Sequence, residues 1–352
     1  MRRGAALYSV LEFDPLCSRI CCRHYDSSRM RRAPILYVKE IAYPIMAAFG
    51  IPANVLTASI LYRGQCGLSR GITRYMVAMA MSDLFLIFFQ VLLQGIYVHY
   101  TPDSYLRHTT VCPSYVYLRI LTLDYSVWLT LSFTFDRFVS ICCPKLRLTY
   151  CTDKTAAVVI VFLLPLSCLK YIPFYFMYEP RFNVDNVNWG CRHKPAYFTS
   201  IWWVAFSWMC TISLYLLPFV LTLLLNGLTV RDIIAASRVR RRLKGLEGKD
   251  AEVENRRKSI VLLFTVSGTT ILLWTTGGVT YICTRITFNF VGSDLTSPSN
   301  IANEVGVLLI RLSSCANTCI YAMTQSRFRQ ESKNGIESFI RFIIKLTKRS
   351  RH

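Results

Sequence analysis

Residues 131–147 read LSFTFDRFVSICCPKLR, placing an acid beside an arginine, Asp136 and Arg137, at the end of a mostly apolar stretch. Four more charges lie deep in apolar runs, Arg119 and Asp124 in YLRILTLDYS and Glu304 and Arg311 in NEVGVLLIRLSS. A third set is Asn54 in GIPANVLT, Asp83 in MAMSDLFLI, Ser126, and Ser313 with Asn317 in RLSSCANTCIY. These residue types suit ion pairing, a buried cation or water site, and the grip of an arginine on a carboxylate. They do not suit catalysis. The chain shows no HExxH, no GxSxG and no phosphate loop, and its five histidines are scattered.

The elements that position these residues are apolar and long. Of 352 residues, 53% are hydrophobic and 17% charged, against about 25% charged in soluble domains. Between Lys194 and Arg231 no Asp, Glu, Lys or Arg occurs, and between Arg74 and Asp103 only Asp83 does. A helix needs about 20 mostly apolar residues to cross a bilayer, so these runs predict spans. Seven are predicted, at roughly 41–62, 73–98, 110–142, 155–176, 199–229, 259–284 and 301–323, flanked by tails 1–40 and 324–352. Each must be helical, because lipid offers no partner to a free backbone group. The fold class is therefore an all-α membrane bundle. Each polar group inside it costs about 2.5–3.5 kcal/mol if charged and needs a reason, either a helix-to-helix bond or a function.

The net charge of +21 is uneven. The connection 230–258 holds ten Lys/Arg and the tail 324–352 holds eight, which places both in the cytoplasm. Residues 1–40 carry eight more and argue the other way; the internal connections outweigh that one tail. The N-terminus is then extracellular, and Cys112 and Cys191 fall on the oxidising side, where a disulfide would tether the loop NVNWGCRHKP. In the last tail Ile336, Phe339, Ile340, Ile343 and Ile344 share a helical stripe, with Arg341, Lys345 and Lys348 elsewhere. That pattern predicts a helix lying on inner-leaflet lipid. Nothing points to nucleic acid.

In order along the chain, these motifs resemble the rhodopsin-like (class A) G-protein-coupled receptors. They are Asn54, SDL with Asp83, Cys112 with Cys191, DRF followed by ICCP, Pro218 in LLPFVL, Trp274 in LLWTT, NTCIY ending at Tyr321, and SRFR. The 25 residues from Cys112 to Arg137 match the family spacing. GIPANVLT, GITRYMVAMAMSDL, VWLTLSFTFDRFVSICC and TDKTAAVV further resemble the branch of probable G-protein coupled receptor 139, for which aromatic amino acids and peptides have been proposed as ligands.

The resemblance implies a plasma-membrane receptor for an extracellular ligand that activates a heterotrimeric G-protein, with no cofactor beyond a modulating sodium ion at Asp83. Asp136 and Arg137 would form a latch with Arg256 opposite. Asn54, Asp83, Ser126, Trp274, Ser313, Asn317 and Tyr321 would form the cation or water site and switch. Arg119, Asp124, Glu304 and Arg311 would face the outer half, either as an internal salt-bridge network or with an arginine free to bind a ligand carboxylate. Several positions depart from the pattern: Thr276 and Thr318 replace prolines, Asn226 replaces a tyrosine of span five, Arg256 replaces an acid, and span four lacks its tryptophan. The missing prolines and tyrosine suggest a rival reading, a non-coupling decoy or partner receptor, whereas Arg256 facing Arg137 would raise basal activity.

Overall fold

The computed structural model describes residues 34–349 except 65, 67, 102–103, 243–250 and 287–296. Spans one to seven are Pro34–Tyr62, Arg70–Tyr97, Cys112–Cys142, Asp153–Tyr175, Ile201–Ala236, Arg257–Ile286 and Pro298–Thr324. Six are long and apolar enough to cross a membrane by composition alone. Span three is the seventh long helix, and it carries Arg119, Asp124, Asp136 and Arg137. The chain is a multi-pass membrane protein. Span one starts at Pro34, earlier than the expected 41, because proline fits a first turn and Lys39 keeps its charge inside the bundle by pairing with Glu304. The helix of span five continues to Arg242 and that of span six begins at Ala251.

Span three is the hub, packed against spans two, four, five and six, while span seven closes the ring against spans six, one and two. Span four shows how an almost uniformly apolar helix acquires a direction. Its buried residues Ala156, Leu163, Ser167, Tyr171 and Phe174 form one stripe at helical spacing, while Val158, Val161, Phe162 and Leu169 point outward to lipid. Two spans contain π-helical stretches, Ile87–Tyr97 and Ile212–Leu216. Such wide turns gather at functional positions, and the first one carries Gln90 and Gln94.

The loop after span four forms two small antiparallel ribbons. β1 (Tyr178–Glu179) pairs with β4 (Arg192–His193), and β2 (Phe182–Val184) pairs with β3 (Val187–Trp189). Asp185 and Asn186 make the turn at φ 52° and 62°, the left-handed pair that a two-residue hairpin demands. Cys112 and Cys191 are joined, with Cα atoms 6.0 Å apart, so the ribbon is tied to the start of span three. At the opposite end of the bundle Ser326–Arg349 forms a helix against spans one and seven, and Phe328 packs edge-on to Tyr321 at 6.1 Å. Ile336 is half exposed on it. The side chains of Phe339, Ile340, Ile343, Ile344, Lys345 and Lys348 lie outside the described residues.

Spans six and seven meet backbone to backbone. A Cβ added at Gly277 would stand 2.9 Å from the Gly306 carbonyl oxygen, and one added at Gly306 would stand 2.5 Å from the Gly277 Cα. Small residues permit such an approach between membrane helices. Where the family carries a proline near this point, this chain runs one uninterrupted helix from Ala251 to Ile286 and gains contact through glycine. Gly306→Ala is expected to lower thermal stability in detergent by about 1–3 kcal/mol. Gly268→Ala, which meets nothing within 4 Å, is expected to be neutral or stabilising by up to about 1 kcal/mol. Parallel melts of the two variants check the contact.

Candidate functional site

At the end of the bundle near the disulfide, Arg119 and Arg311 converge on one amide. Arg119 Nη1 donates to Gln94 Oε1 at 3.2 Å, and Arg311 Nη2 donates to the same atom at 2.7 Å. Arg311 Nη1 also donates to the Tyr43 hydroxyl, with its guanidinium 5.0 Å from the centre of the Tyr43 ring. Gly95 makes this possible, since a Cβ there would collide with the Tyr43 ring at 2.5 Å. Gln90 donates to the Arg119 carbonyl at 3.2 Å and steadies the turn. Both guanidinium Nε atoms are buried without a partner, and among the described residues neither arginine meets a carboxylate within ion-pair distance. A buried cation, Arg311, and a partly buried one, Arg119, therefore share the Gln94 oxygen, and Arg311 has the Tyr43 hydroxyl as a second neutral acceptor.

Of the two readings of these four charges, the internal network is not what forms. Asp124 is fully buried and pairs with Lys170 of span four at 2.5 Å, while Ser167 donates to it at 2.8 Å and Tyr171 at 3.1 Å. Lys170 also reaches Ser213 of span five at 3.1 Å. The reason is angular: five residues separate Asp124 from Arg119, which turns the helix by about 140° and places them on different faces. Glu304 shares a face with Arg311 but pairs with Lys39 of span one. Gln94, Tyr43, Lys39 and Lys170 were not among the candidates. Lys170 in SCLKYIP and Gln94 in VLLQGIY are polar groups inside apolar runs, a signal as plain as that of the arginines.

Lower in the bundle, members of the third polar set come together in pairs and small groups. Asn317 Nδ2 donates to Asp83 Oδ2 at 2.8 Å, and Ser126 also reaches this carboxylate. Trp274 Nε1 donates to Ser313 Oγ at 3.1 Å, linking spans six and seven. Asn54 Nδ2 donates to the Gly50 and Ser314 carbonyls, each at 2.9 Å. Thr318, at the missing proline, bonds Thr57 at 3.0 Å and pins span seven to span one. Tyr321 is fully buried, and its hydroxyl lacks a partner.

At the far end Asp136 and Arg137 are paired and almost completely buried, so they are not a solvated edge pair. Arg137 Nη1 reaches Ser259 Oγ of span six at 3.4 Å. Asn226 Nδ2 donates to Ser267 Oγ at 2.8 Å and ties span five to span six. The Arg256 side chain lies outside the described residues.

Above the arginine pair span six adds a further cation, which meets the loop after span four. Arg285 of span six donates to Ser207 at 2.6 Å and to the Tyr197 hydroxyl at 3.3 Å. The His193 ring stacks between Tyr197 at 4.1 Å and Tyr178 at 4.6 Å. Burial, and then the charge of Arg285, push the His193 pKa down to about 4.

Two outcomes follow from these geometries. Asp124→Asn strands Lys170 and is expected to cost about 3–5 kcal/mol. Asp124→Leu combined with Lys170→Met should recover most of that in the same melt. His193 is neutral in the fold while the unfolded chain takes up a proton near pH 6.5. Its contribution is therefore full above that pH and lost as pH falls toward 4, by at most about 3 kcal/mol. His193→Gln should flatten the melting temperature across that window.

The family model of the seven-transmembrane receptors of the rhodopsin family matches residues 53–321. The FMRFamide receptor of Drosophila melanogaster is 23% identical over 337 residues, covering 91% of this chain and 57% of that protein. The thyrotropin-releasing hormone receptor of Gallus gallus is 23% identical over 194 residues, 53% of this chain and 46% of the relative. The chain thus spans about half the length of the curated relatives it matches. The matched segment takes in all of spans two to six, most of span seven and the last third of span one, with the disulfide, the Asp83–Asn317 pair and the buried Asp136–Arg137 pair inside it, and the chain belongs to the rhodopsin family of seven-transmembrane receptors.

Proposed function

We propose that the chain is a plasma-membrane receptor, N-terminus outside and C-terminus in the cytoplasm, for an anionic ligand carrying a carboxylate. Arg119 and Arg311 carry this reading. Two guanidinium groups, each with an unsatisfied Nε, share one Gln94 oxygen, and buried cations without a counter-charge are costly. A ligand carboxylate supplies that charge and accepts from both arginines. The class is an acidic or zwitterionic small molecule or a short peptide with a free acid end. The names of the two relatives, for FMRFamide and for thyrotropin-releasing hormone, support the peptide side. Placement near the branch of probable G-protein coupled receptor 139 is part of the same proposal and rests on the stretches quoted above.

Ligand binding at this end would shift Trp274 and Ser313, then the Asp83–Asn317 pair and Tyr321. Spans five and six would open beside Arg137 for a heterotrimeric G-protein. The ligand must bind the open form better for this to occur. The Asp83 carboxylate and the Ser126 hydroxyl are hard oxygen donors that suit a sodium ion as modulator. The basic helix Ser326–Arg349 would rest on anionic membrane lipid. The second reading, a receptor that does not couple, is supported by the Asn226–Ser267 tie, which holds span five to span six.

The test screens amino acids and peptides, each peptide as free acid and as amide, against a panel of G-protein readouts at matched surface expression. Free acids are expected to act, and Arg119→Gln and Arg311→Gln are each expected to reduce potency about 10- to 100-fold, the worth of a charge-assisted hydrogen bond. Unchanged potency in both variants, or equal potency of acid and amide, removes the carboxylate. Silence of every G-protein with normal surface delivery favours the non-coupling receptor.

A further inference from the structure

A cavity of about 150 Å³ lies between spans three, five and six, apart from the polar sites above. Val127, Leu214, Tyr215, Trp274 and Gly278 wall it, and Leu216 and Val279 stand at its mouth. We propose that it receives the end of a phospholipid acyl chain, entering from the bilayer between spans five and six.

The direction of entry comes from burial. Leu214 and Trp274 at the floor are 6% and 8% exposed, whereas Leu216 and Val279 are 46% and 54% exposed on the outer surface of the bundle. The depth comes from helix rise. Val279 at the mouth is seven residues from the end of span six at Ile286, about 10 Å along the axis, so the mouth opens within the hydrocarbon layer of about 30 Å. Whatever enters there comes from lipid.

The chemistry of the wall agrees. Thr130, Thr270 and Thr275 donate their hydroxyl hydrogens to carbonyls of their own helices at 3.0, 3.0 and 2.5 Å. Trp274, which lines the cavity, has its N–H engaged by Ser313. An apolar cavity of about this size stays dry and accepts a small hydrocarbon. It is too small for the fused rings of a sterol. A chain end seated there touches Trp274 and spaces spans five and six, so the acyl composition of the bilayer would bias the two-state equilibrium of the receptor.

The full chain, reconstituted in phosphatidylcholine vesicles, provides the test. One preparation carries bromine on the sn-2 chain and the other does not, and the Trp274 emission is the difference from Trp274→Phe. Brominated chains are expected to quench more than half of that emission. Gly278→Leu grows a side chain into the cavity from a Cβ that meets Tyr215 at an ordinary 3.5 Å, and should cut the quenching at least twofold. Thr275→Phe, an exposed position beside the mouth, should do the same, so the result does not depend on one variant folding. Equal quenching in wild type and both variants overturns the proposal, as does its absence from wild type. Quenching by a brominated sterol alone also overturns it.

Discussion

A charge inside a bilayer must find a partner, and in this protein the partners of span three hold the bundle together. Asp124 reaches Lys170 on span four and, through it, Ser213 on span five. Arg137 reaches Ser259 on span six. Arg119 reaches Gln94 on span two, and Gln94 passes the connection to Arg311 on span seven and so to Tyr43 on span one. Every other span is therefore bound to the hub by at least one polar contact. Hydrophobic burial cannot do this alone, because lipid tails are as apolar as the side chains they meet.

The same accounting separates structure from recognition. Asp124 and Lys170 neutralise each other with help from Ser167 and Tyr171, so neither charge lacks a counter-charge. Arg119 and Arg311 have only neutral oxygens, and fewer of them than donors. Among buried cations, those left short of acceptors are the ones that a binding partner can complete.

Much of this was legible in the amino-acid order. The seven apolar runs predicted the helices, and the motifs anticipated the disulfide; they grouped Asp83 with Asn317 and Trp274 with Ser313 but did not say which side chains would bond. Partner choice among the charges was not legible. Span three presents several faces to four neighbours, and only packing decides that Lys170 meets one face and Gln94 another. Helix rotation alone separates Asp124 from Arg119, whereas no local rule foretells that Lys39 captures Glu304. The depth of the Asp136–Arg137 pair was not legible either, and the helices around it run on, with span five continuing to Arg242 and span six starting at Ala251.

The glycine contact between spans six and seven has a mechanical meaning. With no proline to flex span six, its swing is that of a stiff rod, and the fulcrum is Gly277 against Gly306. Nine residues of the helix lie above Gly277 to Ile286 and twenty lie below it to Arg257, arms of about 14 and 30 Å. A displacement of one ångström at the short arm becomes about two at the long one, where Ser259 sits against Arg137. The lever multiplies small motions and divides the force behind them by the same ratio.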